Sequence, residues 1–204
     1  MKNVKKIDRL NLFIVALSVV LFGCVNPKKD ATRDFNGIYA GEYNNRIAFP
    51  IGGMGTGMFC LEGTGAISHM SVWHRPEIFH EPGMFAAIHV KGIEDGAKVL
   101  EGPVPEWRKF GMPGSGLGGP SGANYGLPRF HESTFKARFP FGEVSLTDND
   151  IPLNVTITGW NPFIPGDADN SSLPVGILEY TFENKSDKSL ETVFSYNTRN
   201  FLSW

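Results

Sequence analysis

The chain has 204 residues, a formal net charge of −2 and 41% hydrophobic residues, which is enough for one domain with a sizeable core. Only two cysteines are present, Cys24 and Cys60, so the composition excludes a disulfide-rich scaffold. The 24 glycines and 14 prolines are typical of a protein built from many short strands and turns.

The N-terminus has the layout of a bacterial secretory signal. Four basic residues precede an apolar run of 11 residues from Leu12 to Phe22, and Gly23-Cys24 follows. Residues 21–24, LFGC, resemble a lipobox, whose cysteine carries lipid in the mature protein. The sequence therefore predicts a lipoprotein signal peptide over residues 1–23, lipidation of Cys24 and a membrane-anchored tether over residues 24–36. Cleavage without lipidation is the main alternative. A transmembrane anchor is disfavoured, because the run of 11 apolar residues is shorter than the about 20 that a membrane-spanning helix needs.

These features predict an exported bacterial lipoprotein, either periplasmic or at the cell surface, that contacts the membrane through the lipid at Cys24. Cleavage before Cys24 would leave 15 basic and 20 acidic residues. The resulting net charge of about −5 argues against nucleic acid as a partner. Cys60 lies in an apolar run, residues 58–61, and is predicted to be a buried free thiol, with a disulfide or a catalytic role as alternatives.

The rest of the chain predicts an all-β fold. Runs of β-branched and aromatic residues are separated by turn residues at spacings near ten, and several runs alternate between apolar and polar positions. Ten strands at this spacing favour an antiparallel β-sandwich over a small closed barrel. The predicted strands cover residues 46–49, 57–61, 66–73, 84–91, 97–100, 130–138, 142–147, 153–159, 175–182 and 190–197.

Two connections are distinctive. The polar residues 183–188 separate the last two predicted strands, and this pattern predicts an antiparallel hairpin with a longish loop. Residues 111–128 contain seven glycines and three prolines, a composition that predicts a mobile loop. Because the sequence ends directly after a predicted strand, we expect a sheet edge without a partner and an incomplete sandwich.

Gly53, Gly55 and Gly57 alternate along the chain. In a strand they would lie on one face and leave it flat, so that a backbone or an aromatic ring could approach closely. Their spacing does not fit a dinucleotide-binding or P-loop motif. We predict structural close packing for the three glycines, with contact to a ligand as the alternative.

The polar residues do not predict a metal site or a cofactor. Of the five histidines only His69 and His74 are close in sequence, and a separation of five in a strand places them on opposite faces. The acidic segment 167–170 lacks the glycine and the distant glutamate of an EF-hand, so it is interpreted as a polar loop.

Trp160, Trp73 and Arg75 are the candidate contact residues. Trp160 follows Gly159 at the end of a predicted strand, where a tryptophan can touch a sugar or a neighbouring domain, with core packing as the alternative. Trp73 has the same choices, and Arg75 could anchor a carboxylate across an interface.

Two blocks, residues 46–76 (RIAFPIGGMGTGMFCLEGTGAISHMSVWHRP) and 159–175 (GWNPFIPGDADNSSLPV), resemble the N-terminal domain of glycoside hydrolase family 116, the non-lysosomal glucosylceramidase type of β-glucosidase. The resemblance implies a β-sandwich over residues 37–204 that packs against an (α/α)6 catalytic domain absent from this sequence. It also implies β-glucosides, including glycolipids, as substrates of the full enzyme. The family's two catalytic carboxylates belong to the absent domain, so no catalytic residue is assigned here.

Two hypotheses follow. The first makes this chain the non-catalytic N-terminal sandwich of a secreted, glucosylceramidase-like β-glucosidase, without catalytic carboxylates of its own. The alternative is an independent, lipid-anchored, carbohydrate-binding sandwich that uses the surface near Trp160.

Overall fold

The structure, a computed structural model, describes residues 33–78, 80–109 and 124–201. The predicted signal peptide, the lipidation site Cys24 and most of the predicted tether lie outside these residues, as does most of the glycine-rich segment 111–128. Within the described residues, no helix has the length and apolar character needed to cross a bilayer.

The fold is all-β, as predicted, and every strand overlaps one predicted from the sequence. Helical structure in the described residues is limited to a 3-10 turn, Gly41–Asn44, and two short helices, α1 (Glu106–Lys109) and α2 (Ala168–Ser171). The strands are β1 (Ala48–Ile51), β2 (Met58–Glu62), β3 (Ile67–Ser71), β4 (Met84–Val90), β5 (Ala97–Val99), β6 (Glu132–Arg138), β7 (Phe141–Thr147), β8 (Leu153–Trp160), β9 (Ile177–Asn184) and β10 (Thr192–Thr198).

The strands form three antiparallel sheets with the orders β1-β2-β3, β10-β4-β5 and β6-β7-β8-β9. Side chains from all three sheets meet in one hydrophobic core, so the four-stranded sheet is one layer of a sandwich and the two smaller sheets supply the other. Consecutive strands pair in most cases, because short turns join neighbours directly.

The predicted hairpin between the last two strands is wrong. β9 pairs along its whole length with β8, whereas β10 pairs with β4 in a different sheet. Backbone hydrogen bonds fix both ends of the connection: Lys185 N donates to Pro152 O at 2.9 Å, and Lys91 N donates to Glu191 O at 2.9 Å. Residues 185–191 therefore carry the chain from one layer of the sandwich to the other.

One side of the sandwich is tightly packed. We call this interface the closed seam, formed by Phe49 and Leu61 of the first sheet and Phe135, Val144 and Ile157 of the four-stranded sheet. The rings of Phe49 and Phe135 lie 5.9 Å apart, and Leu61, Val144 and Ile157 are fully buried. Burial alternates along β8 as its sequence predicts, since inward and outward residues follow each other in a strand.

The other side is open. We call it the open seam, formed by Leu178 and Tyr180 of β9, Phe194 and Tyr196 of β10, and Phe201. It contains a cavity of about 620 Å³ whose lining is mostly apolar. In the described residues β9 and β10 are both edge strands, so β10 has an unpaired edge, as predicted.

Candidate functional site

The connections at one end of the sandwich form a compact group, which we call the loop end: residues 52–57, 72–76 and 161–176. Asn161, which is buried, ties two of these segments together. Its Oδ1 accepts from Gly52 N at 2.6 Å, and its Nδ2 donates to Pro50 O at 3.1 Å. Met54 N donates to Ser171 O at 2.8 Å. The two blocks that carry the family resemblance are thus packed against each other.

The three alternating glycines lie in the turn between β1 and β2, so their predicted position in a strand is wrong. Gly55 and Gly57 have φ values of +74° and +103°, which side chains other than glycine rarely adopt. Gly53 is buried, and a Cβ atom there would overlap the carbonyl oxygen of Leu173. The three glycines alternate because a tight turn requires positive φ values and close backbone packing at these positions, and this spacing happens to match the two-residue period of a strand.

The segment after β8 is held by its own hydrogen bonds. The expected polar loop at residues 167–170 contains the start of α2, whose N-cap Asp167 accepts from Asn170 N at 3.0 Å. Ser171 Oγ accepts from Ile164 N at 2.9 Å and donates to Ile164 O at 3.1 Å. This bracing gives the turn of residues 52–57 a rigid surface to pack against.

Trp160 lies at the end of β8 and is half-buried. Its ring packs beside Phe141 at 6.2 Å, and a second aromatic pair, Phe139 and Phe163, has a ring separation of 5.0 Å. Phe139 and Phe141 are exposed. Trp160 therefore belongs to an exposed aromatic patch.

Trp73 and Arg75 lie with Gly55 and Gly57 around a cavity of about 430 Å³, so the structure brings these four predicted residues together. Trp73 and His74 both have left-handed backbones, with φ values of +59° and +58°. Two such residues in succession are strained, and strain of this kind is concentrated at functional sites. The Trp73 side chain is 56% exposed, so the core-packing alternative does not apply to it.

The comparison with known families decides the assignment. The model described as "beta-glucosidase 2, glycosyl-hydrolase family 116 N-term" matches residues 48–204, which is more than half of the chain. The chain belongs to glycosyl-hydrolase family 116. A search of the curated proteins finds no match. The match begins at the first residue of β1 and covers every strand and the whole loop end, so it describes the N-terminal part of a β-glucosidase-type glycoside hydrolase.

For a member of family 116 the carboxylates are of first interest, because glycoside hydrolysis needs two of them across the scissile bond. Arg108 of α1, itself buried, donates through Nη2 to Glu62 and through Nη1 to Glu81. Tyr125 Oη donates to Glu81 Oε1 at 2.7 Å. Glu101, also buried, pairs with Arg129. Sequence reasoning missed this ionic cluster, because its members are distant along the chain.

Glu62 has the most perturbed carboxyl. Burial raises its pKa to about 7, although the Arg108 guanidinium acts in the opposite direction. Such a pKa suits a general acid, but the Glu62 side chain is only 7% exposed and faces Arg108. Cys60 nearby is a buried free thiol, as predicted, and burial raises its pKa to about 11. Both groups are enclosed by the surrounding protein.

Among the residues that the structure describes, one group of side chains has ligand atoms close enough for a metal: His131, Asp148 and Asp150, all within 4.8 Å of one another. Lys98 Nζ already donates to Asp148 Oδ2 and to Asp150 Oδ2, both at 2.8 Å. Burial alone would lower the Lys98 pKa, but these hydrogen bonds outweigh it and the pKa is raised. The ammonium group therefore supplies the positive charge that a metal would bring.

Proposed function

We propose that this chain is the non-catalytic N-terminal β-sandwich of an exported, lipid-anchored β-glucosidase of the glucosylceramidase type. In this proposal a catalytic domain of family 116, acting together with the sandwich, hydrolyses the β-glucoside. Export and anchoring through Cys24 are supported by the basic, apolar and small-residue order of the N-terminus.

The observation that carries the proposal is the state of the buried carboxylates in the described residues. Buried Glu62 and Glu101 are each paired with an arginine, buried Asp148 is paired with Lys98, and the only described carboxyl whose pKa is raised, Glu62, is enclosed. A glycosidase pair needs one protonated and one ionised carboxyl on opposite sides of an accessible substrate. These buried carboxylates instead hold the fold together.

The test is hydrolysis of an aryl β-glucoside by the purified chain. We expect no release of the aryl group by the chain alone, and hydrolysis after fusion to a family 116 catalytic domain. Hydrolysis by the chain alone would sink the proposal, and its loss in Glu62→Gln would assign the chemistry to Glu62.

Lipidation is tested separately. The wild-type chain, expressed in a bacterium, should partition into the detergent phase of a phase-separation assay. Cys24→Ala should move the chain to the aqueous phase or leave it uncleaved, and equal partitioning of both proteins would count against the anchor.

The exposed aromatic patch around Trp160 supports a second candidate, an independent carbohydrate-binding sandwich. Under this hypothesis a soluble β-glucan fragment should quench tryptophan fluorescence in a saturable way, and Trp160→Ala should abolish the change. An unchanged titration in Trp160→Ala would exclude this alternative.

A further inference from the structure

A small cleft lies beside Trp73, between residues 73–78 and 80–82 on one side and residues 199–201 on the other. It has a volume of about 270 Å³, close to the lower limit of about 300 Å³ for small-molecule pockets. Its lining combines two exposed aromatic residues, Trp73 and Phe201, with ionisable side chains of both kinds. The ionisable residues are Arg75, Glu77, His80, Glu81 and Arg199.

Glu81 is held rigidly in the wall of this cleft. Its Oε1 accepts from Arg108 Nη1 and from Tyr125 Oη, and Tyr125 Oη also lies 2.9 Å from Oε2. Arg108 is buried and is fixed a second time by Glu62. A carboxylate braced from the interior can accept hydrogen bonds from a ligand without losing side-chain entropy at that moment.

The cleft's other charged groups are placed by short contacts. Arg75 Nη2 lies 3.2 Å from Glu77 Oε1, and His80 Nδ1 lies 2.6 Å from Glu77 Oε2. Arg199 lies against the backbone of Gly83: a Cβ at that glycine would be 3.3 Å from the Arg199 Cδ and Nε atoms. Hydrogen-bond donors and acceptors therefore both line the cleft.

We propose that this cleft binds one pyranose unit of a β-glucoside. The apolar face of the sugar would lie on Trp73, its hydroxyls would donate to Glu77 and Glu81, and they would accept from Arg75 and Arg199. The inference rests on the proposed function for the substrate class, but it names a binding site in the sandwich itself. A protein partner is the competing occupant for the test to distinguish, because tryptophan and arginine are enriched at protein interfaces although glutamate is depleted there.

Calorimetry and saturation-transfer NMR with methyl β-glucoside and cellobiose, added to the full chain, test the proposal. We expect saturable binding with a dissociation constant on the order of 1 mM, as a single shallow subsite gives. Trp73→Ala should weaken binding at least tenfold. Its control is Phe35→Ala, which removes a 92% exposed ring outside the lining of the cleft and should leave the affinity unchanged.

Two further variants separate binding from folding. Arg75→Ala changes an exposed rim residue and should weaken binding several-fold with an unchanged thermal midpoint. Arg199→Ala removes the other guanidinium of the cleft and should weaken binding to a similar degree. Circular dichroism of each variant identifies any that fails to fold.

Three results would overturn the inference. The first is binding that does not saturate at a sugar concentration tenfold above the expected dissociation constant, and the second is wild-type affinity in Trp73→Ala. The third is a cleft that binds no sugar and whose residues become protected from solvent when a catalytic domain of the family is added. Failure of the proposed function has a different signature, namely hydrolysis by the chain alone. An inert chain that binds no sugar contradicts the cleft and leaves the proposed function standing.

Discussion

Strands β8 and β10 have similar apolar content and very different burial. On β8, Val155 and Ile157 are at most 1% exposed, whereas on β10 Phe194 and Tyr196 are 46% and 40% exposed. β8 has a neighbour on each side and a second sheet over its inner face, while β10 pairs only with β4 and faces the open seam. Alternation thus identifies the residues that share a face, but the opposite layer decides whether that face is buried.

Two phenylalanines, Phe135 and Phe194, differ most clearly in burial between the two seams. Phe135 in the closed seam is 1% exposed and contacts the rings of Tyr39 and Phe49, while Phe194 lies in the open seam. Phe135→Ala should lower the free energy of unfolding by about 3–5 kcal/mol, because it leaves a cavity. Phe194→Ala should cost about 1 kcal/mol, because the half-exposed ring contacts only the rings of Tyr180 and Phe182 among the described aromatic residues. Urea unfolding measures both, and equal losses would show that the open seam is as well packed as the closed one.

Buried charge gives the next largest effect. Since the Glu62 pKa is raised from 4.5 to about 7, the folded chain keeps a proton that the unfolded chain releases. The free energy of unfolding should therefore fall as pH rises from about 4.5 to about 7, by about 3 kcal/mol from this group, and level off above.

Glu62→Gln removes the titrating group and should abolish this slope, as urea unfolding at a series of pH values would show. Glu191→Gln, in an exposed pair with Lys91, serves as the control and should change stability by less than about 1 kcal/mol. A slope retained in Glu62→Gln would assign the titration to another group.

The sequence allows the strands of both seams to be located, because Val, Ile and Thr alternate with turn residues between them. It does not identify their partners: residues 185–191 are short enough for a hairpin, yet they connect two sheets. The turn of residues 52–57 was misassigned because glycines needed for positive φ can have the period of a strand. Pairing is non-local and φ is not encoded by spacing, so neither could be derived from the pattern.

For the candidate site, Trp73 and Arg75 were identifiable from residue type and position. Arg199 was not, since it lies more than a hundred residues from Arg75 in the sequence. Glu81 lies only six residues after Arg75, but its selection depends on its contacts with Arg108 and Tyr125, which the sequence does not indicate. The Arg108 bridge was also invisible, because nothing local distinguishes a buried arginine from an exposed one in a short helix.

The loop end joins the two blocks of the family match, and its glycines test how rigid that junction is. Gly53→Ala should lower the free energy of unfolding by about 1–3 kcal/mol, because the new methyl group overlaps the Leu173 carbonyl. Gly55→Ala meets no atom within 4 Å, and its φ of +74° should cost about 1 kcal/mol. Thermal unfolding compares the two variants. A smaller loss in Gly53→Ala than in Gly55→Ala would mean that the 161–173 segment yields easily.

The smallest effect on stability is expected at the edge of the open seam, where self-association is the better measurement. β10 offers unpaired backbone groups and exposed apolar side chains, the combination that promotes strand pairing between copies. Tyr196 pairs across from the buried Ala86, so it points into the seam, and Tyr196→Lys places a charge there at less than about 1 kcal/mol. Sedimentation velocity should then show several-fold weaker association.

Ser195→Lys, on the outer face of the same strand, should reduce association less, because the seam keeps its apolar lining. An equal reduction in Tyr196→Lys and Ser195→Lys would show that the copies associate through the backbone edge of β10 rather than through the apolar side chains of the open seam.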